Sequence, residues 1–155
     1  MALAFDLFLH GGLLAGFYAQ ESPFLLAPEA AFRRIPIGYL GFLGVTIALA
    51  WLVRRVDARG WGAGFKLGAA SGAVVWGSLV LGLYSIATAS VGLLAGWWAG
   101  QTIELGLSGA VLGAAAAGVP TRRIWVVAIG ALIVCLVLTI AMQSVSLAPQ
   151  AGLQN

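Results

Sequence analysis

The sequence predicts an all-α, polytopic integral membrane bundle with five transmembrane helices. Three observations predict it. Hydrophobic residues make up 61% of the 155 and charged residues only 8%, where soluble domains carry about 25% charged residues. Five segments approach or exceed the about 20 mostly apolar residues that a spanning helix needs. Lys and Arg cluster in two short connections, the pattern that orients multi-pass proteins. So little sequence lies outside these segments that residues 1–155 are read as a single transmembrane domain.

The first segment, residues 2–20, reads ALAFDLFLHGGLLAGFYAQ. It has no Lys or Arg ahead of the apolar run, carries Asp6 inside it, and precedes no small-residue cleavage site, so a retained helix is expected rather than a cleaved signal. The alternative topology has four spans, with this segment lying in the interface. Residues 21–35, ESPFLLAPEAAFRRI, are too polar to span. Pro28 suits a first helical turn, and Glu29 precedes Arg33 by four, so a short helix on the outer surface is expected.

The second span is expected over 36–53, the third over 61–87, the fourth over 91–118 and the fifth over 124–146, followed by a tail at 147–155. The third and fourth exceed a bilayer core and are expected to tilt. Trp51, Trp61 and Trp125 fall near one predicted boundary and Tyr18, Tyr39 and Tyr84 near the other, where amphipathic rings prefer to sit. Loop 54–60 carries Arg54, Arg55 and Arg59, with Lys66 just beyond, and loop 119–123 carries Arg122 and Arg123. These two loops share a side, and only Arg33 and Arg34 lie opposite. The richer side is expected to be cytoplasmic, in a bacterial-type inner membrane, with the N-terminus inside and the C-terminus outside.

Glycines recur every four residues. Gly60, Gly64, Gly68 and Gly72 form one ladder, and Gly92, Gly96 and Gly100 another. Residues four apart share a helix face, and a row of glycines lets another backbone come close. These ladders are expected to pack neighbouring helices. The alternative is a face for a second copy or another membrane protein. Membrane lipids are the remaining expected partner.

One acid lies far from any predicted boundary. Glu104 is halfway along the fourth span and near the stripe of Gly92, Gly96 and Gly100. A charged acid at that depth costs roughly 2.5–3.5 kcal/mol on insertion scales, so the side chain is expected to face protein. Three escapes exist: it carries a proton, it pairs with a donor, or it lines a wet cavity. His10, the only histidine, is expected at similar depth, with Asp6 one turn away and Gln101 one turn outward from Glu104. Asp6, His10, Gln101 and Glu104 are therefore the candidate intramembrane cluster, and Ser71, Ser78, Thr102, Lys66 and Arg54 are further possible partners. Carboxylates and imidazole inside a bundle are the components of proton relays. The plain reading is a static bonded pair that sets helix register.

Nothing points to other chemistry. There is no phosphate loop, nucleophile elbow or Cys/His metal spacing, and no basic helix face for nucleic acid. No cofactor, metal or enzymatic activity is expected. Cys135, the only cysteine, reads as an apolar filler. In size and helix count the chain resembles the tryptophan-rich sensory or translocator proteins, but ESPFLLAPEAAFRRIP stands where that family has a Trp- and Pro-rich loop, so no residue role is carried over. The first expected function is a structural or assembly component of a membrane complex. The alternatives are a small proton-coupled carrier using the Glu/His cluster, and a membrane protein that binds lipid or another apolar ligand.

Overall fold

The computed structural model describes residues 1–20, 23–26 and 28–144. The tail expected at 147–155, and residues 21, 22 and 27 of the expected outer connector, lie outside the described residues. Within them the regular structure is entirely helical. Helix α1 is Ala2–Phe8, followed by a π-helical stretch Leu9–Leu13 and a short α2, Ala15–Tyr18. Helices α3 (Pro28–Arg55), α4 (Trp61–Ile86), α5 (Val91–Ala116) and α6 (Thr121–Ser144) follow.

The molecule is apolar on its outside. Leu40, Ile47, Trp51, Leu81, Trp125, Val126 and Ile140 are all more than half exposed. Three helices, Glu29–Arg55, Trp61–Ile86 and Thr121–Ser144, are long and apolar enough to cross a membrane. Helix α5 has the same length as α4, but Gln101, Thr102 and Glu104 make it less apolar. It is also the most enclosed helix, with Leu93, Leu94, Leu105, Ala110 and Ala114 buried. Ser90 caps it, accepting from the Leu93 N–H at 3.3 Å.

Helices α4 and α5 form a tight antiparallel hairpin. A Cβ at Gly64 would strike the Gly109 carbonyl, and one at Gly68 the Leu105 carbonyl. One at Gly72 would come within 3.0 Å of the Thr102 Cα. These three positions are where backbone meets backbone. Gly60, expected to begin this ladder, instead precedes α4 with φ +93, and its N–H donates to the Gly113 carbonyl at 2.8 Å. Its φ, which an L-residue adopts only with strain, fits it to the turn.

The second ladder packs against the N-terminal segment. Leu9 fills the space over Gly100, Leu14 that over Gly96 and Phe17 that over Gly92. Rising residue numbers meet falling ones, so the segment is antiparallel to α5. Both ladders are thus occupied by the chain's own helices. At a rise of about 1.5 Å per residue, this register puts Asp6 level with Glu104.

Two expectations need correction. The first segment is not one regular α-helix: it is helical over Ala2–Leu13, interrupted at Leu14 before α2, and π-helical over Leu9–Leu13, where Gly11 and Gly12 lie. There α6 comes close: Gly11 faces Thr139, Gly12 faces Met142, and Gln143 Nε2 donates to the Gly11 carbonyl at 3.1 Å. The outer helix expected within 21–35 is not separate either, since α3 runs unbroken from Pro28 through Pro36. A proline there removes the bond to the Phe32 carbonyl and crowds that carbonyl with its ring, and every residue from 31 to 41 is exposed.

Candidate functional site

The site lies where the broken N-terminal segment crosses α5. The widened backbone at residues 9–13 carries His10, and π-bulges are frequent at functional positions. Side chains on a helix lean toward its N-terminus. Tyr18, eight residues on, therefore reaches back to His10, with its hydroxyl 2.6 Å from Nδ1. Trp97 on α5 donates from Nε1 to the same hydroxyl at 2.6 Å. On the other side of the ring, Nε2 lies 3.3 Å from Asp6 Oδ1 and 3.4 Å from Gln101 Nε2.

Indole N–H only donates, so Tyr18 accepts from Trp97, and its hydroxyl shares one hydrogen bond with His10 Nδ1 whose direction follows the imidazole tautomer. Gln101 presents its Nε2 to His10 Nε2 and leaves its Oε1 buried without a partner. Gln101 also interacts with the Glu104 carboxyl.

Glu104 is 2% exposed, and its Oε2 is a buried atom without a hydrogen-bond partner. The carboxyl is enclosed by protein, and Gln101 interacts with it. Asp6 is the other charged side chain acting on it. The remaining candidates go elsewhere. Thr102 donates to the Trp98 carbonyl at 2.6 Å, Ser78, Lys66 and Arg54 are exposed, and Ser71 lines a groove between α3 and α4.

Asp6 and His10 are less enclosed than Glu104, with side chains 13% and 33% exposed. They open onto a groove of about 380 Å3 between the N-terminal segment and α3. The sequence reading missed Tyr18 and Trp97. Tyr18 sits at a predicted helix end, where aromatic rings also serve as interfacial anchors, and Trp97 lies nearly two turns inside the fourth predicted span among apolar residues, so pattern alone did not pair them. Among the described residues, no group of three or more His, Cys, Asp or Glu side chains is gathered to hold a metal ion. No family model matches the chain, and no match was found among curated proteins or solved structures.

Proposed function

We propose that the protein is a small multi-pass inner-membrane carrier that couples solute movement to protons through Asp6, His10, Gln101 and Glu104. In this reading α3, α4, α5 and α6 cross the bilayer, and the N-terminal segment enters it as a fifth, broken element. The supporting observation is a polar cluster in which the groove-facing Asp6 and His10 meet Gln101, with the enclosed Glu104 carboxyl also interacting with Gln101. A carboxyl group that is costly to bury, in one cluster with an imidazole, is a proton-exchanging arrangement.

The test is uptake by membrane vesicles of a panel of radiolabelled small solutes, with and without an acid-outside gradient. At least one solute should accumulate and be lost when a protonophore collapses the gradient. Glu104→Gln, shown to be folded by circular dichroism, should lose this uptake. Gradient-independent uptake, or full uptake in Glu104→Gln, contradicts the reading.

A second reading, a structural or assembly component, is favoured by α3, which is exposed on all sides over 31–41. Because the two glycine ladders are filled from within the chain, a partner in this reading meets α3. Native mass spectrometry after gentle extraction tests it. A stable partner or second copy supports it, and a monomer carrying lipid alone overturns it.

A further inference from the structure

A groove of about 490 Å3 runs between α3 and α4. Leu49 and, from α5, Leu105 form its floor, at 3% and 4% exposed. Ala48 on the α3 rim, and Ala70 and Val74 on the α4 rim, are exposed. Of the residues lining it only Ser71 is polar. Such a channel offers water few partners, and where α3 and α4 cross a bilayer it opens onto acyl chains.

The two rims lead to two cations. On α3, Ala48, Leu52 and Arg55 follow one another at steps of four and three, and on α4, Lys66, Ala70 and Val74 at steps of four. Residues so spaced share a helix face. Arg55 and Lys66 therefore each lie one turn beyond the groove, at the end where residues 56–60 connect the two helices. Both are exposed, and among the described residues neither forms an ion pair. Asp57, the nearest acid along the chain, is held by Arg59 at 2.5 Å. At a rise of about 1.5 Å per residue, Val45 at the far end of the groove lies about 15 Å along α3 from Arg55. That is the depth of one leaflet, half of a hydrocarbon core about 30 Å thick.

Two cations without a protein counter-ion, at the mouth of an apolar channel one leaflet deep, match an anionic lipid in both charge and length. A second copy seated here in the same membrane orientation would bring its own Arg55 and Lys66 to the same level, and like charges would meet. We infer that the groove holds one acyl chain of an anionic phospholipid, with the lipid phosphate bound between Arg55 and Lys66. The site is separate from the Asp6–Glu104 cluster and does not rest on the carrier reading.

The test is native mass spectrometry of the full chain, equilibrated in mixed micelles with equal amounts of palmitoyl-oleoyl-phosphatidylglycerol and the phosphatidylcholine of the same chains. The phosphatidylglycerol should be retained about tenfold more, because each basic residue at a membrane surface attracts anionic lipid. Arg55→Gln with Lys66→Gln should lose most of that preference. Arg122→Gln with Arg123→Gln, which removes the same charge at the same end, should keep it. All four basic residues are exposed, so these variants should fold, and the two-lipid comparison stands without them. Val74→Trp, on the exposed rim, should lower phosphatidylglycerol retention several-fold by filling the groove. Equal retention of the two lipids, a preference untouched in Arg55→Gln with Lys66→Gln or lost equally in both pairs, full retention in Val74→Trp, or a second copy in place of the lipid overturns the inference.

Discussion

The phenol of Tyr18 bridges Trp97 and His10, and the site depends on this. Trp97 Nε1 and His10 Nδ1 share the hydroxyl at 2.6 Å each. Removing it leaves both nitrogens to find new partners in an apolar surround. Tyr18→Phe should therefore cost about 1–2 kcal/mol, at the upper end for membrane hydrogen bonds, read as thermal unfolding in detergent. Trp97→Phe on top of it should add less than it does alone, because the bond is already gone. Full additivity would mean that the two side chains do not meet. At this scale the cluster was partly legible. Depth and spacing brought Asp6, His10, Gln101 and Glu104 into one region, because few charged residues lie inside apolar runs. The Tyr18–Trp97 link was hidden, because an aromatic ring at a helix end has the same pattern whether it faces headgroups or a neighbouring helix.

Among the helices, close approach separates one glycine from another. Gly68 lies against the Leu105 backbone, whereas a Cβ at Gly130 in α6 meets nothing within 4 Å. Gly68→Ala should destabilise the bundle by about 1–3 kcal/mol through overpacking. Gly130→Ala should be neutral or gain up to about 1 kcal/mol from helix propensity. Equal effects in a steric-trapping measurement would remove backbone contact as the basis of the hairpin. The four-residue spacing pointed to these faces, but it did not say which helix fills each one. Pairing depends on tertiary register, which a single helix does not encode. The change of pitch at Leu9–Leu13 was also out of view. Nothing in the spacing of Gly11 and Gly12 marks it, and it lies where Thr139, Met142 and Gln143 of α6 approach. At Pro36 a proline marked an expected helix start, but the helix runs through it.

Over the whole molecule, the all-helical, apolar-surfaced character was legible from composition, because 8% charged residues do not clothe a soluble globule. The two basic connections lie at one end: Gly60 is bonded to Gly113, near the turn that leads to Arg122 and Arg123. The proposed orientation places that end in the cytoplasm. With Cys135→Ala as background, a membrane-impermeant maleimide should label Glu29→Cys in intact cells and Arg59→Cys only after the membrane is opened. The reverse labelling would invert the topology. The carrier proposal depends on the N-terminal segment docking on α5 through His10, Tyr18 and Trp97. The chain has one histidine, so selective 15N-histidine labelling reads this site alone in the folded protein. The account predicts an Nδ1 resonance that moves in Tyr18→Phe, because the hydroxyl bonded to it is lost. A spectrum unchanged by Tyr18→Phe would contradict it.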